Sequence, residues 1–265
     1  MIHMKKVYII PEIDSLEQSI NLIEQYDGAF EYNDFWIPSV LDDRRKQEEI
    51  IEYYARYRTD FADDTMHGAF LDIVIHSQDS LIREASIRRV YQSMDIAKRM
   101  GLRGVVFHTG LLAGFNQPAY LANWRKRNVE FFSSLAEQYP GQEIYIENMF
   151  DATPDEIAAF GEEVKNVANA GLCLDYAHGA VTDCSMETWV RQMAPYVLHM
   201  HINDNNLRDD LHQPVGEGYI NWQEFHDLMI KYRIEASVLV EVRGCEAQKK
   251  SLEYMKKNHI FPFAV

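Results

Sequence analysis

The sequence predicts an α/β protein, a single (β/α)8 TIM barrel with residues 1–265 as one domain. Three observations carry this expectation. A length of 265 residues is the usual span of one such barrel. Short apolar or β-branched runs alternate with longer helical stretches from end to end, and no Pro/Gly/Ser-rich linker interrupts them. The competing architecture, a doubly wound open sheet, calls for a Gly-rich phosphate turn after an early strand, and neither GxGxxG nor GxxxxGKS/T occurs.

Taken in chain order, strands are expected over residues 6–10, 28–33, 66–71, 104–108, 143–147, 171–175, 197–202 and 237–241. Most of these runs are too apolar to alternate cleanly, as befits parallel strands covered on both faces. Helical patterns lie at 15–26, 80–100, 128–139 and 246–258. Thr153-Pro154-Asp155-Glu156 reads as a helix start, with Thr153 as N-cap, Pro154 at the first helical position and Glu156 closing a capping box. Asn221-Trp222-Gln223-Glu224 reads as a second start of that kind.

Composition narrows the function classes. Acidic side chains number 41 against 26 basic ones, a formal charge of −15, which argues against nucleic acid as a partner because phosphate affinity rests on Lys and Arg. A compact basic cluster, Arg44-Arg45-Lys46, is better explained as a solvated helix face. Cys173, Cys184 and Cys245 are too few and too scattered for a disulfide framework or a CxxC metal site, and read as free thiols. The first residues, Met1 to Lys6, lead into a short apolar run ended by Pro11. That is neither a signal peptide nor a membrane span, so a soluble, cytoplasmic protein is expected.

The His, Asp and Glu residues concentrate where parallel strands end. His67 lies in the third strand and His108 ends the fourth. Glu147 ends the fifth, Asp175 with His178 the sixth, and His201 the seventh. Asp210 and His212 follow in the next loop, and Glu241 closes the eighth. In a parallel barrel these ends converge on one mouth, the usual place of an active site. Each residue alone has an ordinary explanation: Glu241 could pair with Arg243, and His67 or His108 could be a packing histidine. His199 reads as core, and His3, His76, His226 and His259 as surface or packing residues. Five successive strand ends each bearing a candidate ligand argue for a divalent metal, and mixed His/carboxylate ligation suits Zn, Mn, Fe or Co.

The order Glu147, Asp175-x-x-His178, His201 and Glu241 resembles the xylose-isomerase-like TIM barrels, which include sugar isomerases and epimerases and endonuclease IV. The stretch from His212 through Gly216-Glu217-Gly218 to Asn221-Trp222 is also family-like. By resemblance to the ketose epimerases, Glu147, Asp175, His201 and Glu241 hold one divalent metal, Glu147 and Glu241 double as the acid/base pair, and His178 contacts substrate. By resemblance to endonuclease IV, the types needed for a nine-ligand, three-zinc cluster are present: His67, His108, Glu147, Asp175, His178, His201, Asp210, His212 and Glu241. Two departures weigh against the nuclease. The first strand, Val7 to Glu12, lacks the His-Val-Ser-type opening, and the segment from His201 to Asp210 is shorter than in that family. One departure weighs against the epimerase, which has an Arg on the sugar hydroxyls beyond the strand-seven His; here Arg208 is merely close.

The first expectation is therefore an isomerase or epimerase of a small sugar or polyol-derived ketone. Its divalent metal, Zn or Mn first and Co, Mg or Fe after them, would stabilise an enediolate while Glu147 and Glu241 move the proton. His67, His108, His178, Asp210 and His212 are additional metal or substrate residues, and Phe35, Trp36 and Arg243 are assigned to the substrate pocket. The alternative is an endonuclease IV-like phosphodiester hydrolase. A non-catalytic binding barrel ranks last, because so many buried ionisable groups are costly to keep idle.

Overall fold

Hydrogen bonds between the first and last strands close the sheet on itself: Val7 pairs with Val238, Tyr8 with Leu239 and Ile9 with Val240. The structure is a computed structural model describing residues 6–263, so His3 lies outside the described residues. Among these it is a closed barrel of eight parallel strands, adjacent in chain order, with helices between them. The elements are β1 (Val7–Ile9), α1 (Leu16–Tyr26), β2 (Ala29–Tyr32), α2 (Pro38–Leu41), α3 (Arg44–Ala55), β3 (Thr65–His67), α4 (Ser80–Met100), β4 (Gly104–His108) and α5 (Pro118–Gln138). They continue as β5 (Glu143–Glu147), α6 (Asp155–Val164), β6 (Ala170–Asp175), α7 (Tyr176–Ala180), α8 (Met186–Met193), β7 (Val197–Ile202), α9 (Trp222–Lys231), β8 (Ser237–Val240) and α10 (Cys245–Lys257).

Strand alternation divides the interior into two unequal parts. Outward residues such as Val7, Ile9, Val105 and Met200 join one large apolar cluster beneath the helices. Inside the barrel the apolar groups are small, Tyr8 with Ile10, Ala29 and Leu239 on one side and Val106 with Tyr145 and Cys173 on another. The other inward positions are polar: Glu31, Thr65, His67, Glu147, Asp175, His199 and His201 are all buried. The helices follow local chemistry. In α4, Asp79 accepts from Leu81 N at 2.8 Å, Gly101 ends the helix at φ 72°, and Val90, Met94 and Ala97 pack inward.

Four expectations need correction. The third strand stops at His67 rather than running to residue 71, because Gly68 sits against the Phe107 ring and the chain turns away there. The helix expected from 128 begins ten residues earlier, at Pro118, whose fixed φ suits a first turn. Pro154 rather than Thr153 is the N-cap of α6; the Thr153 hydroxyl bonds to Asp155, and Glu156 turns to Arg125 at 3.2 Å instead of closing a box. Phe35 is fully buried in the main core and is no pocket wall. Other readings hold. Asn221 caps α9 by accepting from Glu224 N, the three cysteines are free, and Arg44 and Arg45 pair with Glu48 and Glu49 along α3.

The loop between β7 and α9 is organised by one buried carboxylate. Asp204 accepts from Asn205 N (2.9 Å), Gly216 N (2.9 Å), Ile220 N (3.1 Å) and Trp222 Nε1 (2.7 Å). A Cβ on Gly218 would lie 2.4 Å from the same carboxylate, and Gly216 holds φ 90° against the Tyr254 ring, so both glycines are required. This loop carries Asp210 and His212. Replacing Asp204 by Ala strands several buried donors and should destabilise the fold by about 3 kcal/mol or more. A loss below about 1 kcal/mol in urea unfolding would contradict that role.

Candidate metal site

The closed barrel brings the expected residues to one mouth. Glu147 ends β5, Asp175 ends β6, His201 lies in β7, and Glu241 follows β8 with its amide bonded to Ile202 O. One ligand atom from each of these four lies within 4.8 Å of the others. His201 Nδ1 is 3.4 Å from both Glu147 Oε1 and Glu241 Oε2. Two flanking groups share the mouth. His67 Nε2 is 3.1 Å from His108 Nε2, and both face Glu147 Oε2 at about 3.5 Å. On the other side, Asp210 Oδ2 is 3.0 Å from His212 Nε2 and 3.4 Å from His178 Nε2.

Backbone carbonyls orient the flanking imidazoles. His67 Nδ1 faces Gly68 O at 3.0 Å, His178 Nδ1 faces Asn148 O at 2.9 Å, and His212 Nδ1 faces Glu241 O at 2.8 Å. A carbonyl only accepts, so each Nδ1 carries a hydrogen and Nε2 is the nitrogen left facing the mouth. His212 is held at φ 48°, a region a non-glycine residue enters at a cost, and its bond to Glu241 O fixes it there. Asp175 serves twice: Oδ1 caps α7 by accepting from His178 N at 2.7 Å, and Oδ2 is left facing the mouth.

The electrostatics describe a crowd of buried charge. Burial pushes the Asp175 carboxyl up to about 7, with the Glu147 and Glu241 charges adding to the rise despite His178 nearby. Burial also works against Glu147 and Glu241, but the imidazoles around them win and hold both below the ordinary carboxylate range. His212 is raised to about 9: burial opposes its charge and Asp210 and Glu241 outweigh it. Both Glu147 oxygens, Asp175 Oδ2, His201 Nδ1 and Glu241 Oε2 are buried with no hydrogen-bond partner. Unpaired carboxylate oxygens converging within ligand distance are the donor set a divalent cation requires, so the residues fit a metal.

A cavity of about 380 Å³ opens over this group, lined by His67, His108, His178, His212 and Arg243 as well as Glu147 and Glu241. Glu241 turns toward His201 and His212, which displaces the simple Glu241–Arg243 pairing. Trp36 stands behind the wall: its ring packs 4.8 Å from Phe70, and Phe70 in turn packs on His67 and His108 at 4.9 and 5.0 Å. His199 is core as expected, His76 is packed against Tyr120, and His259 is exposed. Among the contributors missed from sequence are Phe70 and Glu31. Glu31 is a charged residue in the middle of an apolar strand, and that misplacement was its only signal.

The sequence model described as xylose isomerase-like TIM barrel matches residues 23–258. The uncharacterized protein MJ1311 of Methanocaldococcus jannaschii is 23% identical over 78% of this chain and 73% of its own length. Apurinic-apyrimidinic endonuclease 1 of Schizosaccharomyces pombe is 26% identical over 72% of this chain and 60% of its own. Among solved structures, a D-tagatose 3-epimerase-like protein superposes with a TM-score of 0.73 and 22% identity, covering 95% of this chain and 96% of that one. The TTHB071 protein of Thermus thermophilus, soaked with zinc chloride, superposes with a TM-score of 0.75 and 20% identity over 95% and 97%. These superpositions concern the fold.

Proposed function

The chain belongs to the xylose isomerase-like TIM-barrel family, and on that premise we propose that it is a divalent-metal-dependent isomerase or epimerase of a small carbohydrate or polyol-derived ketone. The observation that carries the reading is that Glu147 and Glu241 line a cavity of about 380 Å³ while Asp175 and His201 join them behind it. That volume suits a small molecule. The likeness to a D-tagatose 3-epimerase-like protein supports the same class.

Glu147, Asp175, His201 and Glu241 would hold the ion. Bound there, Zn or Mn, with Co, Mg or Fe as other options, would supply Lewis-acid charge where negative charge develops on substrate oxygens. The protein's own groups divide the remaining work. Glu147 and Glu241 are held ionised by the surrounding imidazoles, the form a base needs; one takes the proton from carbon and the other returns it. His178, His212 and Arg243 would hold hydroxyls, and Phe70, backed by Trp36, closes an apolar side. Among the described residues no helix is long and apolar enough to cross a membrane, and we propose a cytoplasmic enzyme.

A second reading has its own support. Besides the four-residue group, His67, His108 and Glu147 form one set able to hold a metal, and His178, Asp210 and His212 another. Three adjacent sets suit a multi-zinc phosphodiester hydrolase, and one matched relative is named an apurinic-apyrimidinic endonuclease. The formal charge of −15 opposes it.

Metal analysis of protein purified without chelator should find about one ion per chain, kept by His67→Asn and His108→Asn and lost by Asp175→Ala. Two or three ions, reduced by either His substitution, would transfer the assignment to the hydrolase, and Asp175→Ala retaining its ion would remove the ligand set. For the chemistry, ketoses incubated with the enzyme in deuterated water should take up deuterium at the carbon undergoing epimerisation. Chelator-sensitive nicking of DNA at abasic sites, abolished by Glu147→Gln, would instead establish the nuclease.

A further inference from the structure

Glu31 of β2 is a fully buried carboxylate that the proposed chemistry leaves without a role. Thr65 Oγ1 donates to Oε2 at 2.7 Å and His199 Nε2 lies 3.0 Å from the same oxygen. His201 Nε2 lies 3.0 Å from Oε1, a close charged contact without hydrogen-bond alignment. The opposite edge of the His201 ring faces the mouth, with Nδ1 3.4 Å from Glu147 Oε1 and from Glu241 Oε2. The imidazole is therefore strung between one carboxylate beneath the site and two within it.

We propose that Glu31 is the positioning residue of the metal centre, holding the His201 hydrogen on Nε2 and aiming the Nδ1 lone pair at the group formed with Glu147, Asp175 and Glu241. The inference rests on the metal reading above and concerns a residue outside its ligand set. A negative oxygen 3.0 Å from Nε2 favours the hydrogen on that nitrogen, and a neutral imidazole then has one lone pair left, on Nδ1. Such a partner also makes the ligand nitrogen more basic, and its loss typically costs 10–100-fold in metal affinity. Thr65 and His199 in turn hold Glu31 in place. His199 itself stops short of the mouth, since its Nδ1 faces Ser237 Oγ at 2.6 Å.

The test titrates metal-stripped wild type, Glu31→Gln and Ser237→Ala with Co2+ against a chromophoric chelator. Glu31→Gln should bind 10–100-fold more weakly, with a changed visible Co2+ spectrum, while Ser237→Ala, which disturbs the same buried network away from His201, should stay within roughly threefold. Unchanged affinity in Glu31→Gln would overturn the proposal, as would an equal loss in both variants, which would mark a general loosening. Should Glu31→Gln fail to fold, long-range 1H–15N spectra of Zn2+-loaded wild type decide: His201 bound through Nδ1 with its hydrogen on Nε2 is expected, and coordination through Nε2 overturns it. Wild type that takes up no metal at all would instead sink the metal reading, a separate and recognisable result.

Discussion

Carboxylates cannot stay charged side by side where water is excluded unless positive charge joins them, and the mouth of this barrel is arranged around that constraint. Glu147, Asp175 and Glu241 converge because parallel strands must end on one rim. Histidines from β3, β4, α7 and β7 and the loop after β7 supply part of the balance. They do not supply all of it, since Asp175 is driven toward neutrality and five ligand atoms stay buried without a partner. A divalent cation resolves both features at once. The remaining architecture serves that site: Asp204 organises the loop bearing Asp210 and His212, and Phe107 presses on Gly68 as the chain leaves His67.

Much of this was legible in the sequence because the chemistry sits at strand ends, where a strand assignment by itself places a side chain at the mouth. Glu147, Asp175 and His201 needed only a parallel barrel to be brought together, and the Asp175-x-x-His178 spacing is a single helical turn capped by its own Asp. Glu31 was not legible. Its partner His199 lies 168 residues away, and nothing local distinguishes a carboxylate that anchors a ligand from one that is simply misplaced. Phe70 escaped for a similar reason, since it falls in a stretch expected to be strand that the structure turns into a loop. Phe35 and Trp36 show the reverse case. Adjacent aromatics after β2 gave no basis for choosing between wall and core, and packing sent Phe35 into the core and Trp36 behind Phe70.

The barrel also explains why two chemistries compete for one set of residues. Glu147 touches both the four-residue group and the His67–His108 pair, so a proton-transfer site and a metal-cluster site differ only in whether the flanking imidazoles bind substrate or metal. Fold alone does not choose between these, since barrels of this kind host many reactions. The proposed reading leans on substrate-side features instead, a cavity of about 380 Å³ and a strongly acidic chain.

The central claim is that a divalent ion is the missing counter-charge of the buried carboxylates, and the unfolding temperature tests it most directly. Saturating Zn2+ or Mn2+ added to chelator-treated protein should raise it by roughly 5–10 °C, the equivalent of about 2.7 kcal/mol at a hundredfold excess over Kd, and renewed chelation should reverse the rise. An unfolding temperature indifferent to both metal and chelator would contradict the account, for the carboxylates would then be balanced within the protein alone.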